Sequence, residues 1–255
     1  MTLNPTSNDI YFALVGTAFE PEGPLDQALA RAGRSYRRSG AQVDYANRVA
    51  HSFTQGRNER GAAIALLEGE TGLGKTLGYL VPMAIFCALR GKRGVVAVSP
   101  QSATDPHIVA ELAIAIEVAQ ELTGRDVTWA RRFAASDFLS RDRIMVLKAG
   151  LPPLREDLAI SAAGLERCCD EAGRLPDWLR DFGALPMQIR AGDICGDRDG
   201  AAYRAHLIAA AGAGILLVPH ALLLDSLAGA GDLAGEASTA PSSMKATCCR
   251  RRSPT

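Results

Sequence analysis

The run Gly69-Glu70-Thr71-Gly72-Leu73-Gly74-Lys75-Thr76 constrains this chain more than any other feature. A glycine, four intervening residues and then Gly-Lys-Thr is the spacing of a phosphate-binding loop, which requires a strand before it and a helix after it. The flanks agree: Ala62 to Leu67 is apolar and strand-like, and Leu77 to Leu89 is helix-like. The glycines let the backbone close into a nest whose N–H groups face phosphate oxygens, and the following helix adds its positive end. On this reading Gly69, Glu70, Thr71, Gly72, Leu73, Gly74, Lys75, Thr76 and Leu77 bind a nucleotide. Lys75 and Thr76 carry the catalytic chemistry, Lys75 on the outer phosphates and the Thr76 hydroxyl on a magnesium ion. The competing reading is a chance glycine-rich turn before a helix. The flanks favour the nucleotide.

Composition narrows the rest. The chain has 255 residues, room for one large or two small domains, with nearly half of them apolar. Basic and acidic residues balance at 28 each, so overall charge selects no partner. The local cluster Arg31, Arg34, Arg37 and Arg38 reads as a solvated face ahead of a nucleic-acid contact. No apolar run reaches the ~18 residues of a membrane span. Met1 to Asn8 lacks the layout of a secretory signal. Cys87, Cys168, Cys169, Cys195, Cys248 and Cys249 do not form a disulfide-like framework, which with a nucleotide loop suggests a reducing cytoplasm.

Along the chain, residues 1 to 24 read as an arm or short leading element. Leu25 to Gly33 and Gln42 to Gln55 read as helices, the second with Val43, Ala46, Val49, Ala50 and Phe53 at amphipathic spacing. Gly94 to Val98 is a buried strand stopped at Ser99-Pro100. Ile108 to Thr123 is helical, Arg143 to Leu147 a further strand, and 151 to 200 short helices joined by turns. Ala201 to Ala211 is helical and Gly214 to Val218 a strand. Strands alternating with helices around such a loop predict an open parallel α/β sheet.

The order of these pieces resembles the N-terminal part of the DinG-like branch of superfamily 2 DNA helicases. The residues that carry the resemblance are Gln42, the loop with Glu68 or Glu70 ahead of Lys75, the run Leu77-Gly78-Tyr79-Leu80-Val81-Pro82, Val96-Ala97-Val98-Ser99, and Pro219-His220-Ala221-Leu222-Leu223. The resemblance covers residues 36 to 106 and 201 to 225 and implies an ATP-dependent DNA helicase. It assigns Gln42 to adenine recognition and the segment from Ser99 to Thr104, including Gln101 and Ser102, to single-stranded DNA. His220 is either a DNA or coupling residue or a packed histidine, and Pro219 stands where the family has asparagine. The implied fold is a RecA-like parallel sheet with flanking helices, an incomplete first motor domain, plus a mostly helical insertion. Residues 1–60 form an arm and adenine-recognition segment. Residues 61–106 and 201–235 form the ATP-binding domain, and 107–200 the insertion.

Many family members hold an iron–sulfur cluster on cysteines in the insertion. Such a cluster needs about four thiolates, and Cys168, Cys169 and Cys195 do not supply them, so no cluster is expected. A cluster-less branch accompanies type IV CRISPR systems, which makes a CRISPR effector complex a candidate partner beside single-stranded DNA. Hydrolysis needs a second acidic motif for magnesium and water, and usually an arginine from a second motor domain; no Asp-Glu-x-His or Asp-Glu-x-Asp follows His220. Residues 236–255 are polar and patternless. When each codon's last base is joined to the first two of the next, Met244-Lys245 yields glutamate without choice. With G or C at the open third positions, 241–251 become Val-Val-Asp-Glu-Gly-Asp-Leu-Leu-Pro-Pro, a strand entering an acidic motif. The tail is therefore expected to be a frameshifted reading of a longer helicase gene, with ATP and magnesium bound here and unwinding confined to the full-length parent. Two other classes remain: a stand-alone ATP-binding regulator without turnover, and a P-loop kinase, against which Gln42 and the run from Tyr79 to Pro82 speak.

Overall fold

The computed structural model describes residues 6–55, 65–99, 105–150, 164–165, 167, 173–175, 179, 189–196, 200–228, 233 and 246–247. They form an α/β arrangement with a small parallel sheet and more helix than strand. Two units emerge: residues 1–131, 213–220 and 240–255 in the first, and 132–212 and 221–239 in the second. No helix among the described residues is long and apolar enough to cross a membrane.

The first unit opens with α1 (Ser7–Ala18), started by a capping box in which the Asp9 amide donates to Thr6 Oγ1 and the Thr6 amide to the Asp9 carboxylate. The expected leading arm is thus a core helix. Tyr11, Val15 and Ala18 recur at helical spacing and are fully buried, followed by Phe19. The Tyr11 hydroxyl donates to the Pro82 carbonyl at 2.9 Å, and its ring meets Phe86 edge-on. Burial pushes the Tyr11 phenol well above its usual range. Pro24 starts α2 (Pro24–Arg31), which buries Leu25, Ala28 and Leu29. The third helix, α3 (Gly40–Thr54), buries Gln42, Tyr45, Ala46, Val49, Ala50 and Phe53. Its buried stripe therefore passes through Gln42, whereas the sequence pattern runs it through Val43.

The long central helix α4 (Lys75–Arg90) is buried from Leu77 to Ala88 on nearly every side except Tyr79, as a helix packed between layers must be. It is covered by α1, α3 and α5 (Pro106–Thr123). Asp105 caps α5 through the His107 amide. The described sheet places β1 (Gly94–Val98) beside β3 (Ile215–Pro219), with β2 (Trp129–Arg131) on the far side of β3 and the two-residue β4 (Ala246–Thr247) on the other edge of β1, all parallel. All five residues of β1 are buried, as a strand covered on both faces requires.

One sequence expectation meets the described residues only in part. Of the strand expected over Ala62 to Leu67, residues 62–64 lie outside the described residues, and 65–67 have no regular structure, with Leu66 94% exposed. The two units group the chain by packing, independently of the domain division expected from the sequence. Residues 106–131 belong to the first unit, because α5 packs on α4 and α2 and β2 joins β3. Helix α7 (Ala201–Gly212) belongs to the second unit.

The second unit holds a separate apolar cluster of Leu139, Ile144, Leu165, Leu175, Ile189, Ile194 and Cys195. The strand expected over Arg143 to Leu147 is instead α6 (Arg141–Gly150). Alternation is absent: Ile144 is fully buried, its neighbours Met145 and Val146 are exposed, and Leu147 returns to the cluster three residues later. Arg143 donates to the carbonyls of Gly192 and Cys195, which ties the helix to the chain it packs on.

Beside this cluster, Arg132, Asp137, Arg174, Tyr203 and His206 surround Phe133 and Phe138. The Phe133 amide donates to His206 Nε2 at 2.9 Å, which requires a neutral ring. Burial first, then Arg132 and Arg174, lower the His206 pKa from 6.5 to about 4. The Asp137 carboxyl is raised by burial, and Tyr203 accepts from Arg132 Nη2. A base whose folded pKa is depressed contributes stability above its unfolded pKa and loses it as pH falls towards the folded one. The window here is pH 6.5 to about 4. Allowing for partial solvent screening, about 1–2 kcal/mol is at stake. Urea melts across that window should show a shallower acid loss for His206→Gln than for the parent; identical slopes would remove His206 from the pH response.

Candidate functional site

Met83 and Cys87, in the C-terminal half of α4, lie against the start of β1: a Cβ on Gly94 would come within 3.0 Å of both sulfurs. The N-terminal end of α4 therefore points towards the carboxyl edge of the sheet, where open α/β sheets hold their ligands. The register pairs Val98 with Pro219, so Ser99 and His220, the next residues of the two strands, share that edge.

The glycine-rich loop enters α4 through left-handed backbone at Gly72 (φ +87°) and Gly74 (φ +77°). A side chain is strained at both positions. The loop also closes on itself, since a Cβ on Gly69 would meet Leu73 Cδ2 at 2.8 Å. Lys75 Nζ folds back over it and donates to the carbonyls of Gly69 at 2.7 Å and Glu70 at 2.8 Å. The first bond of α4 runs from the Gly78 amide to the Gly74 carbonyl. The amides of Lys75, Thr76 and Leu77 thus precede the helix's own ladder, the group of donors an anion meets at a helix start. Glu70, Thr71 and Gly72 are exposed, Lys75 and Thr76 half-buried, and Leu77 is buried beneath them.

Gln42 reaches this loop from α3. It is 6% exposed, and its Nε2 donates to the Gly74 carbonyl at 3.0 Å. One of its two amide protons is therefore committed to the loop backbone. One turn on, Tyr45 packs on α4, where a Cβ on Gly78 would stand 2.9 Å from its ring. Tyr45 was not singled out in the sequence; its place three residues after Gln42 on one helix face is the signal that could have found it. The run from Leu77 to Pro82 faces α3 through Gly78 and α1 through the Pro82 carbonyl.

Gly74→Ala should cost about 1–2 kcal/mol through backbone strain. Its Cβ would also fall 2.3 Å from Gln42 Nε2, so the amide must swing away and give up its bond. Gln42→Ala loses the same bond, worth about 1 kcal/mol. The double variant should be less destabilised than the sum by a similar amount. Strict additivity in urea melts would mean the two residues are uncoupled.

Of the residues assigned to DNA, Ser99 is half-buried at the end of β1. Gln101 and Ser102 lie outside the described residues. His220 is half-buried, and its Nε2 is enclosed without a hydrogen-bond partner among the described residues. The basic cluster is largely matched by carboxylates: Arg31 pairs with Glu117 and Glu121, Arg34 with the buried Glu111 at 2.7 Å, and Arg38 approaches Glu20. Those pairs fit the reading of a structural face over a nucleic-acid contact. Cys195 is buried in the second unit, where desolvation raises its thiol to about 11; Cys168 and Cys169 lie outside the described residues. Among the described residues no group of three or more His, Cys, Asp or Glu is arranged to hold a metal.

No protein-family model matches this chain, and no curated protein matches it. The resemblance to DinG-like helicases therefore rests on the residues already named.

Proposed function

We propose that this chain carries the ATP- and magnesium-binding part of a DinG-like, ATP-dependent DNA helicase, with its sheet a partial RecA-like motor domain. The observation that carries the reading is the loop itself: two left-handed glycines, a helix start, and the Lys75 ammonium 2.7 and 2.8 Å from the loop's own carbonyls. These residues suit a polyphosphate. Loop amides and the start of α4 would donate to its oxygens, and Lys75 would exchange its two carbonyl partners for phosphate. The Thr76 hydroxyl would hold the magnesium ion, which neutralises phosphate charge when bound. Gln42 braces the loop from behind and orients Gly74. Single-stranded DNA would run along the carboxyl edge shared by Ser99 and His220, mostly through phosphate contacts and hence salt-sensitive.

The test is titration of the full chain with a fluorescent ATP analogue, with and without magnesium, in the presence and absence of single-stranded DNA at two salt concentrations. Magnesium-dependent binding that DNA alters at low salt supports the helicase reading. Binding indifferent to DNA favours an ATP-sensing regulator, and no binding removes the nucleotide site.

A further inference from the structure

At the end of α4 remote from the glycine-rich loop, a cleft of about 280 Å³ opens among Asn8, Phe53, Thr54, Phe86, Arg90 and Lys92. These residues come from α1, α3, α4 and the turn after it, all within the first unit. Helix α4 has 16 residues, about 24 Å at the usual rise, so the cleft and the loop are separate sites. Its volume is near the lower end of small-ligand pockets, about 300 Å³.

The lining has two halves. Phe53 and Phe86 stand with ring centroids 5.6 Å apart and tilted by 33°. Each is 8% exposed. The other half is cationic, with Arg90 in the wall and Lys92 on the exposed rim. Among the described residues lining the cleft none is acidic. Arg90 Nη2 donates to Asn8 Oδ1 at 2.5 Å, but its Nε is enclosed without a hydrogen-bond partner among the described residues.

Cations are expected at a helix C-terminus on dipole grounds alone. That demand is already met here. Arg125 Nη1 donates to the carbonyls of Ala88 and Leu89, and Arg93 Nε caps the Ala213 carbonyl nearby. Arg90 caps no carbonyl among the described residues; its Nη2 goes instead to the side-chain amide of Asn8. A neutral amide oxygen is a weak partner for a half-buried guanidinium whose Nε is enclosed, and a guanidinium favours a carboxylate or phosphate in planar, paired contact.

We propose that this cleft is a second ligand site, distinct from the glycine-rich loop, for a small aromatic anion. The aromatic ring lies against Phe53 and Phe86, and a phosphate or carboxylate takes the guanidinium of Arg90, with Lys92 at the rim. The exposed edges of the two rings supply apolar and edge-to-face contact, and the charge-assisted contact supplies orientation. This goes beyond the nucleotide reading and does not depend on it.

The experiment uses the full chain with Lys75→Ala, so that the glycine-rich loop does not compete for phosphate. Phenyl phosphate is the probe, followed by calorimetry and by the shifts of Phe53 and Phe86 ring resonances. Saturable binding near 1 mM, roughly the limit for so few atoms, is the expected result, with phenol and inorganic phosphate each at least about tenfold weaker. Asn8→Asp is the discriminating variant. Position 8 is exposed in the first turn of α1, where a carboxylate suits the helix dipole. The new carboxylate would pair with Arg90 and weaken phenyl phosphate about tenfold or more without unfolding the chain. Arg90→Met should abolish binding. Absence of saturable binding, inorganic phosphate binding as well as phenyl phosphate, or unchanged affinity in Asn8→Asp would each overturn the assignment. ATP binding by the Lys75 parent is read separately and is unaffected by any of these outcomes.

Discussion

Lys75→Ala is expected to weaken ATP binding about a hundredfold or more while leaving the melting temperature nearly unchanged. The ammonium now donates to the Gly69 and Glu70 carbonyls at 2.7 and 2.8 Å. When phosphate arrives, those donors turn to oxygens carrying full negative charge. Charge-assisted bonds are worth about 1.5–3 kcal/mol each, so losing two costs roughly 3 kcal/mol or more, about two decades in affinity. Stability should barely respond, because Lys75 is only half-buried and its present partners are carbonyls of a largely exposed loop. Lys75→Arg should not rescue: a planar fork cannot replace a compact ammonium over two carbonyls six and five residues back. Calorimetry with ATP and magnesium, beside a thermal melt, reads both quantities. Unchanged affinity in the alanine variant would remove the loop from nucleotide binding.

Tyr11→Ala is expected to destabilise the first unit by about 3–5 kcal/mol, the range for emptying a buried aromatic site. Its ring is fully buried against Phe86, and its hydroxyl is spent on Pro82 at 2.9 Å. Against a total of roughly 5–15 kcal/mol, that is a large share. Tyr11→Phe separates the two contributions: the ring stays, only the bond is lost, and the cost falls to about 1 kcal/mol. Ile10→Ala is the control, since the neighbouring Ile10 is 44% exposed and should shift stability by under about 1 kcal/mol. Urea midpoints of the three variants settle the matter. A loss below about 1 kcal/mol for Tyr11→Ala would return α1 to the status of a peripheral arm.

Regular pieces with strong local signals were legible in advance. Gly94–Val98 is the strand its β-branched run announces, and Pro106–Thr123 and Ala201–Gly212 match their helical patterns to within two residues. Long periodic segments carry their structure locally, so little can overrule them. The misses share another cause. The segment from Arg143 to Leu147 has too few apolar residues for its period to be unambiguous, and the available contact was a helical one through Ile144 and Leu147. The leading segment has a capping box and a Tyr11, Val15, Ala18 spacing that mark α1, but the turn residues Pro21, Gly23 and Pro24 that follow give the stronger local signal.

The sequence by itself determined the glycine-rich loop and the helix after it, because both rest on neighbours in the chain: Gly72 and Gly74 supply backbone that side-chain-bearing residues resist, and formers such as Leu77, Leu80, Met83, Ala84 and Leu89 carry the helix past Gly78 and Pro82. Only the tertiary structure decided which distant residues touch that loop. Gln42 lies 32 residues from Gly74 and meets its carbonyl because α3 packs on α4; Tyr11 lies 71 residues from Pro82 and meets it because α1 packs there too. The same holds for the cleft of Asn8, Phe53 and Arg90 and for the shared edge of Ser99 and His220. Contacts across such separations arise from burial of apolar faces, which is non-directional; which polar groups it brings together is fixed by packing and register.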